Sequence, residues 1–326
     1  MPRSSRSART TPGTATPGTA PGTATAPGTA TARTATARTA RRLPAAAALA
    51  AATALAAGLA APAAPAFADQ DTSVAAAAAV APVAEGTAAF HPDRDFAGST
   101  VAAHEGRTAA APFASLAATQ TPGLDVASYQ GNVAWSSVAA NGAKFAYVKA
   151  TEGTGYTNPY FAQQYNGSYN AGLIRGAYHF ALPNASSGAT QANWFVNHGG
   201  GWSADGKTLP PALDIEYNPY GATCYGLSQS AMVSWIRDFS NTVHSRTGRY
   251  PTIYTTTNWW TQCTGNNGGF GTTNPLWVAR YASTVGTLPN GWGYQTFWQF
   301  ADSGTFPGDQ NYFNGAADRL RALALG

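Results

Sequence analysis

Between residues 123 and 313 the chain alternates short apolar runs with amphipathic ones, and that alternation is its strongest constraint on a fold. Strand-like runs at 123–128, 144–150 and 173–180 are each followed by helix-like segments, at 133–140, 158–171 and 189–198. A fourth strand lies within 209–218. After it Met232, Trp235, Ile236, Phe239 and Val243 recur at offsets of three and four, which makes 228–245 the clearest amphipathic helix. A fifth strand spans 249–255, where Pro251 suits a strand start better than a strand centre, and a short helix follows at 258–262. The long helices then stop. Runs at 275–281, 294–300 and 309–313 read as strands joined by Gly-, Asn- and Thr-rich loops, and 316–325 as a closing helix. Eight strands, the earlier ones each followed by a helix, predict the α/β class and a modified TIM-like β/α barrel.

Composition limits the folded domain to 118–326. All 15 Tyr, all 9 Trp and both Cys lie after Thr121, whereas the Ala-, Thr- and Pro-rich sequence before about residue 117 lacks the apolar surface needed to offset chain ordering. Residues 1–40 are low-complexity and receive no fold. Residues 41–68 run from Arg41-Arg42 through an Ala/Leu-rich stretch to Ala66-Phe67-Ala68, the pattern of a secretory signal peptide. The stretch is too broken by Gly and Pro for a membrane anchor. The paired arginines leave twin-arginine export as the less favoured route. Residues 69–117 read as a pro-segment or linker. The expected product is therefore an extracellular protein without stable membrane insertion.

The basic excess belongs to the N-terminal segment: residues 118–326 hold ten Lys plus Arg against nine Asp plus Glu. Without a basic stripe, nucleic acid is not an expected partner. The aromatics interleave instead with Gly, Asn, Ser and Thr, which suits a neutral glycan. Metal and cofactor binding are not expected, because the histidines are scattered singly and no His-Glu-x-x-His occurs. Cys224 and Cys263, alone in an exported domain, are expected to form a disulfide between the loop after the fourth strand and the segment after the fifth.

The chemistry concentrates on Leu-Asp-Ile-Glu at 213–216. Period-two geometry puts Asp214 and Glu216 on one side of a strand, about 6 to 7 Å apart along the backbone, a spacing that lets two acids address one glycosidic bond. In a barrel, catalytic groups should sit where strands end. Asp125, Glu152, His179, Asp214 with Glu216, and more loosely Asp309 all fall in or beside the C-terminal parts of predicted strands.

These residues resemble the family 25 glycoside hydrolases, the N-acetylmuramidase or Chalaropsis-type lysozyme family, and most closely its secreted actinobacterial members. The resemblance rests on Gly-Leu-Asp-Val-Ala-Ser-Tyr-Gln at 123–130, Tyr-Val-Lys-Ala-Thr-Glu-Gly at 147–153, Gly-Ala-Tyr-His-Phe at 176–180, Leu-Asp-Ile-Glu at 213–216, Trp-Val-Ala-Arg-Tyr at 277–281, Trp298-Gln299, and Asp-Gln-Asn-Tyr-Phe-Asn-Gly at 309–315. It implies a (β/α)5(β)3 barrel that cleaves the β-1,4 bond between N-acetylmuramic acid and N-acetylglucosamine in peptidoglycan. It also implies Glu216 as general acid, with Asp125, Asp214 and Asp309 as the other active-site acids. A C-terminal wall-binding module, present in some relatives, is not expected.

A neighbouring carboxylate in a dry cleft keeps an acid protonated, so Glu216 is expected to protonate the leaving oxygen. Asp214 is expected to orient the 2-acetamido group, whose carbonyl attacks the anomeric carbon with net retention. Inversion, with Asp125 or Asp214 activating water, is the competing scheme. Tyr147, Glu152, Tyr178, His179, Tyr217 and Trp298 are candidate substrate-binding residues, each with a packing or orienting alternative; for Glu152 that alternative is a salt bridge to Lys149. The partner is peptidoglycan, engaged by a monomer. The rival readings are a non-catalytic glycan-binding module and a wall amidase or peptidase.

Overall fold

The computed structural model describes residues 90–108 and 120–326. The low-complexity stretch, the expected signal peptide and the residues flanking 90–108 lie outside the described residues. Eight strands close into a barrel: β1 (Thr121–Val126), β2 (Phe145–Glu152), β4 (Ile174–Phe180), β5 (Ala212–Asp214), β6 (Thr252–Thr255), β7 (Leu276–Ala279), β8 (Phe297–Ala301) and β9 (Asp309–Phe313). Neighbours pair in parallel from β1 to β8, and β9 closes the ring antiparallel to both β8 and β1. The two-residue β3 (Tyr156–Thr157) is an extra strand hairpinned onto β2.

Helices α2 (Trp135–Ala140), α3 (Phe161–Asn170), α4 (Gly188–Asn197), α5 (Gln229–Thr247) and α6 (Thr257–Thr264) follow β1, β3, β4, β5 and β6. No helix separates β7, β8 and β9, and α7 (Ala317–Leu325) closes the chain. With β3 as an ornament on β2, this is the expected (β/α)5(β)3 order. The longest helix, α5, buries Met232, Trp235, Ile236, Phe239 and Val243; Ser228 caps its start by accepting from the Ala231 N–H, and Gly248 ends it in the left-handed conformation. Each such fully buried side chain contributes about 1.5–3 kcal/mol of transfer free energy.

Strand alternation sorts side chains into two layers. Phe145, Tyr147, Tyr178, Tyr254, Trp277, Phe297 and Phe313 fill the barrel interior, while Leu213, Ile253 and Val278 belong to the cluster that α4, α5 and α6 cover. Some boundaries differ from expectation. Helix α3 begins at Phe161, because Asn158 is spent on a turn: its Oδ1 accepts the Tyr160 N–H and its Nδ2 donates to Gln164. Only Ala212–Asp214 of the 209–218 run is strand, as Pro210 and Pro211 have no N–H to give a ladder.

Residues 90–108, expected to be pro-segment or linker, pack against the barrel and include a short helix, α1 (Val101–Glu105). Asp95, Ala97 and Val101 are buried. Among the described residues no helix is long and apolar enough to cross a membrane.

Candidate active site

The four predicted acids converge at one mouth of the barrel. Asp125 lies near the end of β1 and Asp214 is the last residue of β5. Ile215 belongs to the outer-layer cluster, so the next alternation returns Glu216 to the same side as Asp214. Asp309 was expected at or near a strand's C-terminal part; it is instead the first residue of β9. Because β9 runs antiparallel, its start reaches the rim where the parallel strands end, and Asp309 pairs in register with Asp125. Gly308 just before it has φ +75, and its lack of a Cβ lets the turn pass against the Asp125 backbone.

Sequence reasoning did not single out Gln299 as a site residue, yet it organises the cluster. Its Nε2 donates to Asp125 Oδ2 at 3.0 Å and to Asp309 Oδ2 at 2.9 Å, while its Oε1 accepts from Tyr254 Oη at 2.7 Å and Tyr281 Oη at 3.1 Å. Asn311 Nδ2 adds a 2.7 Å bond to Asp125 Oδ2. The available signal was parity: Gln299 and Asn311 alternate onto the face that carries Asp125 and Asp309.

All four carboxyls are buried, and burial is the main cause of their raised pKa values. Asp125 is pushed up to about 7 despite the amides of Gln299 and Asn311, which favour its charged form. Glu216 is pushed up to about 8, with the charges of Asp95 and Asp125 adding to burial. Asp214 is held well above the usual carboxylate range by burial and then by Glu216; Asp309 is held there by burial and then by Asp125. Neither Asp214 oxygen has a hydrogen-bond partner among the described residues. The arrangement thus gathers four buried carboxyls with raised pKa values at one mouth, one of which, Asp214, has free bonding capacity among the described residues.

The six candidate substrate-binding residues divide. Tyr217 and Tyr178 both reach the mouth: Tyr217 donates to Glu105 at 2.8 Å and Tyr178 Oη accepts from the Ala97 N–H at 3.3 Å. Glu152 takes the salt-bridge alternative, forming a fully buried pair with Lys149 at 2.5 Å and accepting from Tyr220 Oη at 2.6 Å. The other three take their packing or orienting alternatives. Tyr147 is wholly inside the barrel, stacked on Trp277 with its hydroxyl donated to Pro210 O. His179 alternates outward from Tyr178, bonded to Thr151 and Gln191 and stacked on Phe239 of α5; burial pushes its pKa down to about 3. Trp298 likewise alternates outward from Gln299, donating to Arg280 O and packing near Phe300. Each sits a residue or a layer away from the mouth.

The rim is tied by a Cys224–Cys263 disulfide, Cα atoms 5.3 Å apart, joining the loop after β5 to α6 as expected. Among the described residues no His, Cys, Asp and Glu group is placed to hold a metal ion.

A model of glycosyl hydrolases family 25 matches residues 124–309, the span that holds all four acids. The N,O-diacetylmuramidase of Chalaropsis sp is 51% identical over 208 residues, covering 63% of this chain and 99% of that protein. Lysozyme M1 of Streptomyces globisporus is 52% identical over 207 residues, 62% of this chain and 70% of that one. A solved muramidase from Acremonium alcalophilum superposes with a TM-score of 0.63 at 62% identity, over 63% of this chain and 99% of the other. Barrel order, clustered acids and these likenesses agree that the chain belongs to glycosyl hydrolases family 25 and is a glycoside hydrolase.

Proposed function

We propose that the chain is an extracellular muramidase that acts as a monomer and hydrolyses the β-1,4 bond between N-acetylmuramic acid and N-acetylglucosamine in peptidoglycan. The observation that carries this reading is the placement of Glu216 and Asp214, two buried carboxyls at one barrel mouth; the Asp214 oxygens lack partners among the described residues, and with residues 90–108 in place the Glu216 pKa is pushed up to about 8. The likeness to muramidases supplies the substrate class. A glycan-binding module has no use for four buried acids, and the likeness to muramidases lends no support to an amidase or peptidase.

Glu216 gives its proton to the glycosidic oxygen as the bond to the anomeric carbon breaks. Asp214 accepts the N–H of the 2-acetamido group. That bond stabilises its carboxylate and so draws down a pKa that burial holds high. The polarised acetamide carbonyl closes on the anomeric carbon to give an oxazolinium ion. Water then attacks that carbon while the Glu216 carboxylate takes its proton, which restores the acid and retains configuration. Asp125 and Asp309 share the Gln299 amide beneath, and burial, with smaller additions from the Asp95 and Asp125 charges, raises the Glu216 pKa.

Prolonged digestion of peptidoglycan followed by reducing-end and mass analysis tests the substrate assignment. New reducing ends carrying muramic acid are expected. Glucosamine ends, or cut peptides with intact glycan, contradict it. NMR of the first-formed product tests the course: the β-anomer is expected, whereas an initial α-anomer establishes inversion.

A further inference from the structure

Residues 90–108 lie across the mouth that the acids form, and they consume the groups a glycan would need. Glu216 Oε1 accepts the Gly98 N–H at 2.6 Å and Oε2 accepts the Thr100 hydroxyl at 2.7 Å. Both oxygens of the proposed acid are engaged by a peptide N–H and a hydroxyl, the same donor types that an acetamido sugar presents. Each Glu216 oxygen thus already has a donor from residues 90–108 on it.

The rest of the strap is anchored as closely. Gln299 Nε2 donates to Ala97 O at 2.8 Å and Tyr281 Oη to Gly98 O at 3.1 Å. Lys149 Nζ, fully buried, donates to Pro92 O at 3.0 Å and also to Asp95 O. The ring of Tyr217, the aromatic surface nearest Glu216 in sequence, is covered face to face by the His104 imidazole, centroids 3.9 Å apart and planes 3° from parallel. A flat ring on an aromatic face occupies the place of a stacked sugar. Gly98 has φ +92, and a Cβ there would collide with the Tyr281 hydroxyl and the Gln299 amide, so the strap's sequence fits this seat closely.

We infer that residues 90–108 are an autoinhibitory strap: a segment of the chain that binds the glycan cleft in place of substrate and holds the enzyme inactive until it is displaced. The inference rests on the proposed muramidase reading for what the cleft receives, though not for the occlusion itself. Because the strap is covalently joined to the barrel, its effective concentration at the cleft is high, and even modest intrinsic affinity closes it. Tethered occupation disfavours free glycan in the same proportion as it favours the strap.

The test compares the full chain with its Gly98→Val/Thr100→Ala variant, which alters only the strap and leaves every barrel residue intact. Two quantities are measured: release of reducing ends from peptidoglycan, and co-sedimentation with insoluble peptidoglycan in the cold. Loss of one hydrogen bond to a charged or ionisable acid together with the added clash should raise both by about tenfold or more. A rise in binding with no hydrolysis in either protein keeps the strap and removes the muramidase reading. Values in the variant that are unchanged or lower in both assays overturn the strap.

Discussion

Glu216 carries the heaviest demand of any residue: it must hold a proton that an ordinary glutamate releases near pH 4.5, and burial keeps that proton on it to about pH 8. The consequence for stability has a definite sign. The folded protein binds a proton that the unfolded chain has lost, so the stabilisation associated with the protonated acid is complete below about pH 4.5 and drains away as pH rises toward about 8. Denaturant titrations over that window should show stability falling with pH, and Glu216→Gln, which cannot ionise, should flatten part of the slope. Opposite residue-scale outcomes have one physical source. Asp214 and Glu216 could be paired from sequence because a period of two needs no tertiary information. Tyr147, His179 and Trp298 could not be placed, because being beside a motif says nothing about depth or parity. Trp298 and Gln299 are adjacent, yet one packs outside the barrel and the other binds the acids.

At the scale of elements, legibility followed length and self-sufficiency. Helix α5 carries its own cap, stop and apolar stripe, and its expected span differs from the observed Gln229–Thr247 by only a residue or two at each end. Strand β3 has two residues and no pattern of its own. The 90–108 strap has too little apolar surface to fold by itself; it is ordered by a cleft built from residues far along the chain, so composition alone gave it no structure. Asp309 needed the antiparallel direction of β9, a property of barrel closure that local sequence does not encode. The expected Cys224–Cys263 bridge holds the rim formed by the loop after β5 and by α6. Replacing both cysteines with serine should cost about 2–4 kcal/mol, measured as a lowered denaturation midpoint, because the bridge closes a 39-residue separation in the unfolded chain. An unchanged midpoint would show that α6 packing alone sets the rim.

For the whole molecule, the barrel's strand order and its chemistry form one design. Five strand–helix units and three bare strands place four acids from opposite ends of the domain sequence at one mouth, and the chain supplies from its own N-terminal side a peptide that fits the mouth. The central claim is that Glu216 performs proton transfer to and from a peptidoglycan glycosidic bond. It is tested most directly by adding Glu216→Gln to the Gly98→Val/Thr100→Ala chain and measuring the rate of muramic-acid reducing-end release beside peptidoglycan co-sedimentation. The expected rate is lower by about 10²–10⁴-fold with glycan binding retained and an unchanged far-UV spectrum; a rate within a few-fold of the parent would rule out that role for Glu216.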